Sequence, residues 1–191
     1  MQETSKSRSL RAARGDFAKY LHGGGIDIGA GDDPLVVDNG TVRAWDVPDG
    51  DAQVLAGVPD SSFDFVYSSH CLEHMRSVDE SLRNWLRILK PGGYLYVVVP
   101  DYILYEKMVW PSRYNGDHKQ SFSFLISRAA VRRDNHFHVS DDLLPLLKSL
   151  GAESVQLSVE DAGFNYNFGI ADQTMLGALA QLCIVTRKVP G

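Results

Sequence analysis

The ten residues Ile26 to Leu35, IDIGAGDDPL, restrict the possible folds more than any other stretch of the chain. A short apolar run enters a Gly-x-Gly turn, the device by which an open α/β sheet brings its backbone up to a ligand at a strand end. The dinucleotide-binding pattern G-x-G-x-x-G is nevertheless broken. Gly29-Ala30-Gly31 is followed by Asp32-Asp33-Pro34, so the third glycine is missing, and Asp27 lies just before the turn. A pyrophosphate would meet several carboxylates at short range, a like-charge contact that costs kcal/mol once water is excluded. Such a loop suits a ligand with positive charge and no phosphate.

The rest of the pattern alternates strands with helices. A helix is expected from about Leu10 to His22, stopped by Gly23-Gly24-Gly25. Strands are expected at Ile26–Ile28, Val42–Asp46, Gln53–Leu55, Phe63–Ser69 and Tyr94–Val99. Ser77 and Glu80 form a capping box ahead of an apolar stripe at Leu82, Trp85, Leu86 and Leu89. Ser140 is placed to cap a later helix that Gly151 stops. Strands at Val155–Val159 and Leu179–Arg187 are separated by a loop with no helical period, so a hairpin there makes the final strand antiparallel. The expected fold is α/β: a Rossmann-like open sheet of about seven strands, mostly parallel with an antiparallel final strand, and helices on both faces. A length of 191 residues suits one sizeable core, so a single domain over residues 1–191 is expected, with residues 102–135 as a cover over the substrate.

Composition narrows the partners. Lys and Arg total 19 against 24 Asp and Glu, a net charge of −5, which gives no basic footprint for nucleic acid or an anionic membrane. No apolar run reaches the ~20 residues of a membrane span. The N-terminal MQETSKSRSLRAARGDF has no apolar core of a secretory signal, and a cytoplasmic protein is expected. Cys71 and Cys183 lie in apolar segments and read as small buried hydrophobes.

Four segments in register resemble the class I S-adenosylmethionine-dependent methyltransferases, in particular their small type-11 branch. They are IDIGAGDDP, the acid of VRAWDV, GDAQVLAGVPDSSFDFVYSSHCLEHM and LRILKPGGYLYVVVPD, spanning about Ile26 to Asp101. The resemblance implies S-adenosyl-L-methionine as cofactor, whose ammonium and sulfonium match the acidic loop. It also implies roles for particular residues. Gly29, Ala30 and Gly31 would line the methionine part, and Asp27 would orient the ammonium. Asp46 would take the ribose hydroxyls, with Asp38 a weaker competitor. Asp51 and Ala52, with Gln53, would meet the adenine, and Ser69 and His70 would face the sulfonium region.

Methyl transfer from a sulfonium is a displacement, and a hydroxyl nucleophile is helped by a general base. The candidates are His70 and Glu73 after the fourth expected strand, Asp101 after the fifth, and Asp117-His118 and His136-x-His138 in the cover; His74, four residues after His70, reads as structural. Asp117-His118 and His136-x-His138 have three readings: polar ties of the cover, a carboxylate–histidine base, or ligands for a divalent metal. No metal is assigned. Tyr102, Tyr105, Trp110, Tyr114, Phe122 and Phe124 form either an aromatic floor for an acceptor or the core of a lid. Arg128, Arg132 and Arg133 form either an anion clamp or a solvated face. The expected activity is methyl transfer to a small-molecule or saccharide-type acceptor, at oxygen. Its rivals are an inactive cofactor-binding partner subunit and an NAD-dependent oxidoreductase, which the acidic loop opposes.

Overall fold

Five parallel strands and one reversed strand make the central sheet. The computed structural model describes residues 2–190. In chain order the strands are β1 (Gly23–Ile28), β2 (Gly40–Trp45), β3 (Phe63–Ser69), β4 (Leu89–Pro100), β5 (Ser121–Ser123), β6 (His136–His138), β7 (Ala152–Glu160) and β8 (Gln181–Lys188). The central sheet runs β2-β1-β3-β4-β8-β7, and β5-β6 form a separate parallel pair. β8 is antiparallel to both β4 and β7, the reversal expected from the helix-free connection before it.

The sheet therefore has six strands, not about seven. The expected strand at Gln53–Leu55 is a run of turns instead. Its side chains are used elsewhere: Gln53 accepts from the Ser77 backbone N–H at 2.9 Å and donates to Glu80 at 2.5 Å. It thereby takes up the reciprocal half of the capping box, while Ser77 Oγ still accepts from the Glu80 N–H at the start of helix α4 (Val78–Ile88).

Alternation along the strands splits the core into two layers. Val66, Leu95, Val97, Val99 and Ile184 pack with Leu82, Trp85 and Leu86 of α4 and Leu147 of α5 (Leu144–Ser149). Phe65, Tyr67, Tyr96, Val98, Cys183 and Val185 face the other way, against Leu21 and Leu35. The expected helix over residues 10–22 is broken. Gly15, at φ 73°, ends α2 (Arg8–Arg14) and starts α3 (Asp16–Lys19), behind a first turn α1 (Glu3–Lys6).

These N-terminal helices cover a face that no crossover helix covers. Between β1 and β2 the chain is turn and loop only. Asp27 accepts from the Leu35 N–H at 2.7 Å, and Asp33 accepts from the Ser5 N–H at 2.8 Å. The loop is thus stitched down by carboxylates on either side of Pro34, which has no N–H of its own. The helix expected at Ser140 also begins differently. A wide π turn over Val139–Leu143 precedes α5, and Asp142 rather than Ser140 accepts from the backbone, at the His138 N–H. Among the described residues, no helix is long and apolar enough to cross a membrane.

Candidate active site

Parallel strands deliver their carboxyl ends to one edge of the sheet, where open α/β folds hold ligands. At the end of β1, Gly29 takes φ 78°, and a side chain there would place its Cβ 2.5 Å from Cys71 Cβ. The N–H groups of Gly29 and Ala30 both donate to Trp45 O, at 2.9 and 3.3 Å, locking the turn to the end of β2. Asp46 follows at once. One carboxylate oxygen accepts from the Gly31 N–H at 2.6 Å and the other from the Val47 N–H at 2.6 Å.

A cavity of about 500 Å³ opens above this turn, lined by Gly29, Asp46, Asp51, Ala52, His70 and Cys71, with His74, Met75 and Asp117 at its rim. Five residues expected at a cofactor thus share one cavity: Gly29, Asp46, Asp51, Ala52 and His70. Asp51 is fixed by Arg76 at 2.6 Å and by the Gln53 N–H, and both hold its carboxyl below the usual range. Ala30, Gly31, Asp27 and Ser69 are not in the lining. Ala30 and Ser69 are buried behind it, and the Ser69 hydroxyl has no hydrogen-bond partner. Asp27 lies beneath the turn, 1% exposed, and burial pushes its carboxyl up to about 7 against the pull of the Leu35 N–H. A cation held above the turn would favour its ionised form.

Residues 15–97 match the sequence profile of the family described as "Methyltransferase domain". That stretch, less than half of the chain, is similar to methyltransferase domains. Solved structures with the same fold include an S-adenosylmethionine-dependent methyltransferase from Mesorhizobium loti. That one is 16% identical, with 95% of this chain and 99% of the other covered at a TM-score of 0.54. One from Aquifex aeolicus is 14% identical, covering 98% and 92% at 0.54. The [4+2]-cyclase SpnF is 18% identical, covering 96% and 83% at 0.53. At such identities the likeness shows the fold alone. A reducing polyketide synthase, grgA from Penicillium, is 45% identical over 42 residues, 22% of this chain and 2% of that protein's length.

His70, directly after β3, has φ 54°, a conformation that costs a non-glycine residue of order 1 kcal/mol or more and collects at functional sites. Its Nε2 lies 2.9 Å from the Gln181 amide oxygen, and the Gln181 NH₂ donates to Glu160 at 2.6 Å. With the amide fixed that way, His70 Nε2 must be the donor, and Nδ1 carries the lone pair. Burial lowers the pKa of the ring and favours this neutral form.

The other histidines are arranged differently from the pairings considered in the sequence. His118 is buried, with Nδ1 2.6 Å from Glu106. His74, expected to be structural, holds Asp117 at 3.0 Å and lines the cavity. His136 is remote from both in its contacts. It bridges Ser121 at 2.8 Å and Ser123 at 2.9 Å and stacks edge-on against Tyr102. Burial, with His138 and Arg133 beside it, pushes its pKa down to about 4. His136 and His138 line a second cavity of about 670 Å³ with Arg128, Arg132 and Arg133. There Arg128 pairs with Asp142 at 2.7 Å, while Arg133 lies over the Tyr102 and Trp110 rings. Asp101 caps the turn after β4 through the Ile103 and Leu104 N–H groups, and burial raises its pKa to about 6.

The cavity residues that the sequence did not single out are Val47, Gly50, Cys71, Met75 and, as liners, His74 and Asp117. The four-residue spacing of His70 and His74 was the available signal for His74. Asp117, read in the sequence beside His118, reaches instead to His74, 43 residues away in the chain.

Proposed function

We propose that this protein transfers the methyl group of S-adenosylmethionine to an oxygen of a small-molecule or saccharide-type acceptor, held under the segment 102–135. The cofactor lies in the 500 Å³ cavity. Gly29 and its neighbours let the backbone approach the methionine part, and Asp27 supplies negative charge beneath it. Asp46 takes the ribose, and Asp51 with Ala52 borders the adenine. The chemistry asks little of the protein beyond alignment in a dry site and removal of a proton. His70 is the base, its Nδ1 lone pair free and its ring oriented by Gln181. Asp117, contributed by the cover to the cavity rim, places the acceptor on the same side as His70.

The observation that carries this reading is the left-handed His70 at the end of β3, in the wall of the cavity and pinned through its far nitrogen. The test is methyl transfer from isotopically labelled S-adenosylmethionine to pooled small-molecule and saccharide acceptors. His70→Ala is expected to lower kcat at least a hundredfold while changing S-adenosylhomocysteine affinity less than about threefold. Equal turnover in the variant would remove His70 as base. Cofactor binding by the wild-type protein without transfer to any acceptor would instead mark a module that binds and does not catalyse.

A further inference from the structure

We propose that Glu73 Oε1, His74 Nε2 and His118 Nε2 form a binding site for one divalent transition-metal ion of the zinc type, at the edge of the cofactor cavity.

Glu73 is 1% exposed, and among the described residues neither of its carboxylate oxygens has a hydrogen-bond partner. An unpartnered buried carboxylate is costly, and its surroundings normally supply donors. Here they supply lone pairs. Three imidazole nitrogens face Glu73 Oε1: His70 Nδ1 at 3.7 Å, His74 Nε2 at 3.8 Å and His118 Nε2 at 3.9 Å. In each ring the other nitrogen is already committed. His74 Nδ1 is 3.0 Å from Asp117 Oδ2, and His118 Nδ1 is 2.6 Å from Glu106 Oε1. Both must donate there, because a carboxylate can only accept. Their Nε2 atoms are therefore unprotonated and face a carboxylate oxygen.

Separations of 3.7–3.9 Å are too long for hydrogen bonds. They are on the scale of ligands that share an ion. An ion about 2.0–2.1 Å from each ligand in tetrahedral geometry separates them by about 3.4 Å, so each ring needs to close on Glu73 by roughly half an ångström, and the two rings, whose ligand atoms lie within 4.8 Å, draw together as well. Among the described residues, Glu73, His74 and His118 are the group whose ligand atoms all lie within 4.8 Å of one another. Two imidazoles and one carboxylate, with a fourth position open, is the ligand set of catalytic zinc. The carboxylates behind the rings, Asp117 and Glu106, are the outer partners that ligating histidines use to fix tautomer and orientation.

His74 lines the cofactor cavity, and His70 Nδ1 also faces Glu73 Oε1. Where the protein transfers methyl groups as proposed above, the ion binds the acceptor oxygen and lowers its pKa while His70 accepts the proton.

The test needs neither cofactor nor acceptor. Chelator-stripped protein is titrated with Co²⁺, followed by visible absorption, and with Zn²⁺ in competition with a chromophoric chelator. One ion per chain is expected, with tetrahedral cobalt bands and a submicromolar Zn²⁺ Kd. Glu73→Gln and His118→Asn are expected to weaken Zn²⁺ at least a hundredfold while retaining S-adenosylhomocysteine binding, which reports that they fold. Absence of cobalt bands and of tight Zn²⁺ in the wild-type protein would overturn the site whatever the variants do. So would a Glu73→Gln protein that binds Zn²⁺ as tightly as wild type. Failure of cofactor binding or methyl transfer is read separately and leaves the metal titration to stand or fall alone.

Discussion

Gly29→Ala is expected to remove measurable cofactor binding and to destabilise the fold by about 3 kcal/mol or more. Two costs combine. The backbone sits at φ 78°, where an alanine is strained, and the new methyl group would meet Cys71 Cβ at 2.5 Å and Cys71 Sγ at 2.6 Å. Cys71 is itself buried against the core, so it cannot swing clear. The turn must shift instead, and with it the Gly29 and Ala30 N–H groups that hold Trp45 O. Gly57→Ala separates the two costs. Gly57 has the same φ of 78°, yet nothing lies within 4 Å of its added Cβ. Calorimetric titration with S-adenosylhomocysteine and denaturant unfolding should therefore show a mild loss of stability and intact binding for Gly57→Ala. Similar losses in both variants would mean that the approach of Cys71 to the turn is not what makes position 29 glycine.

Arg14→Ala is expected to lower Tm by about 10 °C, from the roughly 3–5 kcal/mol that follows when one partner of a buried ion pair is removed. Arg14 reaches Asp16 at 2.8 Å and Glu160 at 2.5 Å, and both acids are almost wholly inaccessible to water. It also donates to Tyr96 Oη at 2.8 Å, tying the N-terminal helices to β4 and β7. The loss should not stop at stability. Glu160 holds the Gln181 amide, and Gln181 fixes which nitrogen of His70 carries the proton. At temperatures where the variant is folded, kcat should fall while S-adenosylhomocysteine affinity stays within a few-fold. Arg14→Lys should recover part of the Tm, since an ammonium keeps the charge but loses the guanidinium fork. A Tm within about 2 °C of wild type would show that Asp16 and Glu160 do not depend on this guanidinium.

The part of the fold that was legible in the sequence is the part governed by local pattern. YLYVVV is apolar throughout because both faces of β4 are covered, and Leu95 and Tyr96 go to opposite layers. Ser77 announced α4, and the helix-free stretch before β8 announced its reversal. What failed to show depends on long-range contacts. Gln53 looked like part of a strand, but its amide is engaged by Ser77 and Glu80 more than twenty residues away. Nothing in IDIGAGDDPL says that the following helix is absent and that the N-terminal helices fill its place.

The site divides in the same way. Gly29, Asp46, Asp51, Ala52 and His70 follow from a motif at strand ends and meet in one cavity. Asp27 was read by charge alone, and burial under the turn gives it a raised pKa and no place in the lining. His118 and His136 looked equivalent in sequence. The chain sends one to Glu106 and Glu73 and the other to the β5–β6 pair, because the cover folds back on two different elements. Glu73 was a candidate from its place after β3, but nothing local showed that three histidines converge on it.

We infer that S-adenosylmethionine occupies the cavity at the carboxyl ends of β1 to β3. Hydrogen exchange read by mass spectrometry, with and without S-adenosylhomocysteine, tests it most directly. The predicted result is slowed exchange in peptides covering residues 28–31, 46–54 and 69–75. Protection confined to residues 126–138, around the arginine-lined second cavity, would contradict it.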